Sequence, residues 1–229
     1  MMIPILKDYY TAGYLPGPVP GAIPPYLPNV NLAMRRELFE EIGGYDEACV
    51  AGEDADLCVR AAKAGWSQFF DPAARAYHEP RPDLMSLVRQ WIWYAEGGSH
   101  FFFKLQEKRL EIYLNMELTP KMYRYRRVLA TDFFPLPAMV FISPFPLWHA
   151  GALAALVGLA AGFRVPVLLF LLAALAIMGH LFKRSPLRRL SWKELSLYAA
   201  VSYVINWTCM LGSLRAGLRK RRLFFYPGI

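Results

Sequence analysis

Glu53, Asp54 and Asp56 crowd into the first turn of EDADLCVRAAKAG, a segment whose apolar spacing and terminal Gly65 predict a helix. Carboxylates at a helix start oppose the positive end of the dipole, so three of them serve equally well as a solvated, capped helix start. A carboxylate is also what takes the proton from an attacking hydroxyl. Asp54-Ala-Asp56 further has the spacing with which two acids hold a divalent cation bridging a diphosphate. His78 closes the apparent strand RAYH, from which an imidazole can bind a metal or a phosphate oxygen, although a lone strand-end histidine is more often structural. Gly43 and Gly44 would let the backbone approach a ligand closely.

The elements that must position these residues are legible in part. NLAMRRELFEEIGGYDE spaces Leu32, Met34 or Leu38, and Ile42 at helical intervals, predicting a short helix stopped at Gly43-Gly44. SQFFDPAARAYHE predicts strand, turn, strand. Upstream, six prolines and three glycines between Gly13 and Pro28 exclude helix and central strand, leaving an extended arm. Residues 84–115 are amphipathic, with Leu84, Leu87, Val88, Trp91 and Ile92 forming an apolar stripe. That stripe either belongs to the core of the polar part or lies on a bilayer as an interfacial helix.

At 55% hydrophobic content and a mean hydropathy of +0.23, the chain is too apolar to be wholly water-soluble. Residues 1–132 hold 15 Lys+Arg against 17 Asp+Glu, whereas residues 133–229 hold 11 against 1. The overall charge of +8 is thus a property of the apolar tail, where it reads as attraction to anionic lipid headgroups and not to nucleic acid. Three cysteines make no disulfide framework and suit a reducing compartment. Met1–Lys7 is too short for a signal peptide.

No charge occurs between Asp132 and Arg164, which predicts an interfacial or broken lead-in followed by a spanning helix from about Trp148 to Gly162. Val167–Phe182 would return, and Leu195–Leu214 forms a third apolar run. If all three cross, the basic loop (Lys183, Arg184, Arg188, Arg189, Lys193) and the basic tail (Arg215, Arg219 to Arg222) fall on opposite sides, against the positive-inside rule. One run is therefore expected not to span, and the third, with Ser196, Ser202, Asn206 and Thr208, is the one expected to be re-entrant or surface-lying. The division expected is a proline/glycine arm (1–30), a head (31–83), amphipathic or interfacial helices (84–132) and a membrane region with two or three transmembrane segments (133–229).

In this order, NLAMRR through IGGYDE, GED, YH and RQWIWYAEGG resemble the C-terminal half of the catalytic domain of family-2 glycosyltransferases, inverting enzymes of GT-A fold, over about Asn29 to Gly98. The resemblance implies that Asp54, in the GED motif, is the general base, with Glu53 beside it. It also implies that Asp54-Ala-Asp56 is not the metal pair, with Asp56 capping the helix. It places Gly43 and Gly44 in the glycine-rich acceptor loop and gives His78 the metal or diphosphate. Arg89, Gln90 and Trp91 would line the acceptor or diphosphate side near the membrane.

The fold class expected is therefore an α+β head, a partial GT-A domain lacking the nucleotide-binding half, followed by C-terminal transmembrane helices. A divalent cation, Mg or Mn, is expected only if the missing half is supplied. Partners implied are membrane lipids, a nucleotide-sugar, a lipid-linked or envelope-polysaccharide acceptor, and another protein or a second copy. The chain is expected at the inner (plasma) membrane with its head on the cytosolic side, and inactive alone. It reads as a truncated product, half of a split enzyme, or a non-catalytic scaffold derived from one.

Overall fold

A computed structural model describes residues 13–15, 17, 21–23, 26–71, 73–76, 81–115, 125–162, 165, 167, 168, 172 and 191–227. A short strand β1 (Gly13–Tyr14) precedes a 3-10 turn (Asn29–Asn31) and two helices, α1 (Arg36–Glu41) and α2 (Glu53–Lys63). Strand β2 (Phe69–Phe70) and the long helix α3 (Leu84–Leu105) follow. Next come β3 (Leu110–Asn115), β4 (Tyr125–Thr131), β5 (Ala138–Ile142), helix α4 (Pro144–Ala160), helix α5 (Trp192–Arg219) and β6 (Leu223–Phe225). One sheet is the antiparallel ribbon β1-β2; the other has the order β4-β3-β5-β6, with β3-β4 antiparallel and β3-β5 and β5-β6 parallel.

Both short helices form where the spacing predicts them. α1 begins at Arg36, later than the apolar pattern starts, and ends before Gly43 and Gly44, whose φ of 79° and 67° turn the chain in the left-handed region that glycine tolerates. α2 ends before Gly65, likewise left-handed at 88°. The described parts of the arm meet two sheet edges. Its Gly13–Tyr14 pairs with β2, and further on Ile23 N–H donates to the Tyr125 carbonyl (3.1 Å) while Arg127 N–H donates to the Gly21 carbonyl (2.6 Å). Of the predicted second strand RAYH (75–78), residues 75 and 76 are not in a strand and the rest lies outside the described residues.

The amphipathic stretch divides differently from the expectation. Helix stops at Leu105, and residues 110–115, expected as helix, are β3. The period of two was hidden because the face β3 buries carries Glu111 beside Tyr113. That carboxylate is fully buried and satisfied by Arg127, the Tyr113 hydroxyl and the backbone N–H groups of Glu107 and Lys108. Within α3 the core reading holds for the C-terminal half. Phe101 packs with Cys49, Ala55 and Val59, and Phe102 and Phe103 pack on the aromatic cluster of Tyr113, Tyr125, Met139, Phe141 and Phe224. The N-terminal half leaves Leu84, Met85, Trp93 and Tyr94 exposed.

Residues 133–143, expected as a membrane lead-in, contain β5, an inner strand of the sheet with Ala138, Met139 and Phe141 wholly buried. Composition could not separate the two, since a short strand buried on both faces is as uniformly apolar as lipid-facing chain. β6 likewise returns from the tail to pair with β5, so the 133–229 stretch supplies two strands of the head sheet. α4 begins at Pro144 and not near Trp148, because proline at the first helical position loses no hydrogen bond. The third apolar run is a continuous 28-residue helix, α5, opened by a Ser191–Glu194 capping box. Among the described residues it is the one helix whose length and composition would suffice to cross a membrane.

Candidate functional site

Gly52, at a φ of 79°, turns the chain into α2 and presents Asp54 on its first turn. The Asp54 carboxylate accepts from the N–H of Asn29 (3.1 Å) and of Ala55 (2.8 Å). Burial raises its pKa above the ordinary carboxylate value, and the Glu53 charge pushes the same way against the two N–H groups. The Asn29 side-chain oxygen in turn accepts from the Tyr45 hydroxyl (2.8 Å). Asp54 is thereby linked to the loop that directly follows Gly43 and Gly44. An acid of raised pKa beside a glycine-turned loop is suited to receive a proton from a bound hydroxyl.

Asp56 does other work than the capping expected of it. Its two oxygens are held by Arg60 Nε (2.8 Å) and Lys104 Nζ (2.5 Å), and the residue is buried. The same Arg60 donates from its two terminal nitrogens to the carbonyls of Ile42 (2.5 Å) and Gly44 (2.6 Å), satisfying the open end of α1 and pinning the glycine bend to α2. Lys104 also reaches Asp46 (2.8 Å), with His100 Nε2 at 3.3 Å from the same Asp46 oxygen. With Lys104 as the chief cause, Asp46 titrates at about 2. One network thus joins α1, the Gly43–Asp46 loop, α2 and α3. The thiols nearby, Cys49 and Cys58, are pushed up to about 11, chiefly by burial, and are chemically quiet.

Among the described residues no three His, Cys, Asp or Glu side chains converge to hold a metal ion. Asp56 is committed to two cations of its own, so Asp54 and Asp56 do not fit as a metal pair. His78 lies outside the described residues.

Arg89 and Gln90 sit further up α3. With Arg81, Ser86 and Trp93 they line a cleft of about 290 Å³, where Arg81 Nε donates to Gln90 Oε1 (3.1 Å) and Gln90 Nε2 donates to the Tyr94 hydroxyl (2.8 Å). Trp91 is not on this cleft; its ring meets Tyr94 edge-on at 5.7 Å, and Trp93 takes the lining position. The two groups of candidates share α3 as a ruler. A Cβ on Gly97 would stand 2.8 Å from the Ala51 Cβ and 3.1 Å from its backbone nitrogen, so the turn before α2 rests directly on Gly97. Arg89 lies eight residues earlier on that helix, roughly 12 Å along its axis.

This contact predicts unequal effects at adjacent glycines. Gly97→Ala should destabilise the fold by about 1–3 kcal/mol through overpacking against backbone. An added Cβ on Gly98 meets nothing within 4 Å, so Gly98→Ala should be neutral or stabilising by up to about 1 kcal/mol from helix propensity. Thermal melting of the two variants checks the pair. Of the residues that sequence reasoning missed, Arg60 was within reach, standing four residues after Asp56 on one helix face. Tyr45 and Asp46 stand inside the IGGYDE motif, whereas Asn29, His100 and Lys104 come from other segments and nothing in their local pattern marks them.

Comparison with known proteins places these residues in a family. Over 74 residues the chain is 34% identical to the pre-mycofactocin glycosyltransferase of Mycobacterium tuberculosis, a match covering 32% of this chain and 15% of that protein. It is 37% identical over 71 residues to the succinoglycan biosynthesis protein ExoA of Rhizobium meliloti, covering 31% of this chain and 22% of that protein. It is 32% identical over 91 residues to the probable glycosyltransferase YdaM of Bacillus subtilis, covering 37% and 21%. The matches thus span no more than about a quarter of these curated relatives. No solved structure matches the chain. The family model for glycosyl transferase family group 2 matches residues 7–181, more than half of the sequence, from the arm through α4, and the chain belongs to that family.

Proposed function

We propose that this chain carries the acceptor side of an inverting glycosyltransferase site, in which a sugar passes from a nucleotide-sugar to a lipid-linked or envelope-polysaccharide acceptor at the cytosolic face of the membrane. Asp54 removes the acceptor hydroxyl proton as that oxygen bonds to the anomeric carbon, while the bond to the diphosphate breaks and the nucleoside diphosphate leaves. Glu53 raises the proton affinity of Asp54 by its charge. Gly43 and Gly44 bring backbone against the acceptor, and Arg89 and Gln90, with Trp91 behind them, face the diphosphate or acceptor from α3. His78 is the candidate for holding the diphosphate or a cation bound with it. The nucleotide is held by residues other than those described, so the chain by itself transfers little or nothing.

The observation that supports this reading is the desolvated Asp54 carboxylate, anchored by Asn29 and joined through it to the Gly44–Tyr45 loop. The test is a calorimetric titration of nucleotide-sugar with Mg²⁺ or Mn²⁺ into the detergent-solubilised protein, alone and with any co-purifying partner. Binding in the second case alone is expected, and no binding in either overturns the proposal. The exposed Leu84, Met85, Trp93 and Tyr94 favour a second reading, a non-catalytic scaffold that docks another protein. Under it, Asp54→Asn would leave every cellular role intact.

A further inference from the structure

The cleft beside Arg89 is cationic, and no acid lines it. Among the described residues Arg89 makes no hydrogen bond or ion pair, and Arg81 is held only through Nε, by Gln90 Oε1 (3.1 Å), which leaves both of its terminal nitrogens open. Gln90 is steadied in turn by its donation to the Tyr94 hydroxyl (2.8 Å). Asp83 does not line the cleft; its carboxylate is spent on the Ser86 N–H (2.8 Å) as the N-cap of α3. Two guanidiniums with open N–H groups are the donors that phosphate oxygens fit. The rim is apolar, since Trp93 lines the cleft and Leu84 and Met85 stand exposed on the first turn of α3. At about 290 Å³ the cleft takes the head of a ligand and not the whole of one.

Helix packing fixes where the cleft opens. An added Cβ on Gly212 would stand 2.8 Å from the Ala95 Cβ and 3.2 Å from the Ile92 carbonyl, Arg219 pairs with Glu96 at 3.0 Å, and the Arg222 guanidinium lies 4.9 Å from the centre of the Phe103 ring, so α3 and α5 run in the same direction. α4, which has no charged residue, meets α5 through His149 at Tyr203 and Trp207. Tyr203 stands nine residues before Gly212, and Leu84 eight before Ile92, so that contact is level with the start of α3 and with the cleft. α5 begins at Trp192, roughly 16 Å farther out. The cleft therefore opens at the end of the head from which two apolar helices project.

The Asp54 turn lies elsewhere along α3. An added Cβ on Gly52 would meet Gly98 Cα and Phe101 Cβ at 3.6 Å, and neither Asp54 nor Gly43 and Gly44 line the cleft. The diphosphate that leaves the sugar is bonded to the anomeric carbon under attack, so it belongs at Asp54 and not one helical ruler-length away. For the same reason a phosphate in the cleft is not the attacking group. We propose that the cleft holds the phosphates of the acceptor, a lipid diphosphate that already carries at least one sugar. Arg81 and Arg89 bind the diphosphate, the hydrocarbon chain leaves over Leu84, Met85 and Trp93 toward α4 and α5, and the sugar reaches along α3 to present its hydroxyl to Asp54. The site then extends a lipid-linked saccharide and does not begin one on a bare lipid phosphate. This inference rests on the proposed reading of Asp54 and on the membrane placement given with it.

Titration of farnesyl diphosphate into the detergent-solubilised protein tests the cleft. Binding is expected, weakened about tenfold or more by Arg81→Gln and by Arg89→Gln, with melting temperatures unchanged because both side chains are exposed. Parental binding by these folded variants, or equal binding of farnesol, overturns the proposal. Displacement by uridine diphosphate would give the cleft to the leaving group, and displacement by an equal concentration of phosphatidylglycerol would give it to bulk lipid; either also overturns it. Photolabelling tests the span. On a farnesyl diphosphate bearing one hexose, a diazirine on the hexose should mark Asn29 or the Gly43–Asp46 loop, and a diazirine on the last isoprene unit should mark Leu84, Met85 or Trp93. Hexose label confined to residues 81–93 overturns the span. None of these readouts needs transfer, so the two readings fail differently: a wrong base shows as full transfer by Asp54→Asn, and a wrong cleft as unchanged binding by Arg81→Gln and Arg89→Gln.

Discussion

In the protein assembled with the partner that supplies the nucleotide site, replacing Asp54 with asparagine is expected to reduce sugar transfer by about 10²–10⁴-fold while the head still folds. Asparagine keeps one oxygen, which can accept from the N–H of Asn29 and so preserve the link to Tyr45, but its amide nitrogen then gives up the bond that the second carboxylate oxygen accepts from the Ala55 N–H. It cannot take a proton at neutral pH. Burial raises the Asp54 pKa in the folded state, so the folded protein holds that proton more tightly than the unfolded chain does. Stability from this group is therefore present at low pH and lost as pH rises through the raised value. The variant escapes that loss. Relative to the parent it loses one accepted N–H bond at every pH, and its melting temperature measured against the parent's should rise from acid, where Asp54 is protonated, to pH 7. Parallel transfer assays and melting curves between pH 3 and 8 check both parts. Transfer at the parental rate by a normally folded variant would remove Asp54 from the chemistry.

Lys104→Met should produce a large loss of stability. It removes the cation shared by Asp46 and Asp56 and leaves the buried Asp56 with Arg60 alone. Breaking a fully buried pair costs about 3–5 kcal/mol. Lys104 is 37% exposed, so solvent screening brings the expected cost to about 1–3 kcal/mol. The melting temperature of a chain this size should fall by roughly 3–10 °C. Transfer should fall as well, because the Gly43–Asp46 loop loses its tie to α3. The pH dependence identifies the cause. Asp46 is held down at about 2 from 3.8, so its contribution is present above pH 3.8 and disappears as pH falls toward 2. The gap between parent and variant should narrow over that interval, which denaturation at several acid pH values would show. A gap constant with pH would mean that Lys104 acts by packing its alkyl chain and not by its charge.

The parts of the fold that were legible are those coded locally. The Gly43-Gly44 stop, the acidic start of α2 and its stop at Gly65 each depend on residues within one or two turns, and the structure places them there. β3 and β5 were not legible because each breaks the pattern its surroundings would impose. Glu111 is a charge on a buried face, tolerable because the N–H groups of Glu107 and Lys108 just before it donate to it and Arg127 arrives from β4. β5 is apolar on both faces only because β3 and β6 flank it and aromatic rings cover it, so nothing in its own five residues distinguishes it from membrane chain.

The site divides in the same way. Asp54 stood out by its place in an ordered set of motifs, whereas Asp56, two residues along the helix, looked like a cap or a metal ligand and is instead the buried anchor of the Arg60–Lys104 brace. Residue types and spacing along the chain determined the family, the short helices, the apolar runs and the candidate base. Only the tertiary structure decided which acid is held between two cations, which glycine bears a neighbouring backbone, and to which body α5 returns. Those outcomes depend on burial and charge pairing between segments some fifty to more than a hundred residues apart, and energies of that kind exist only once the segments have met.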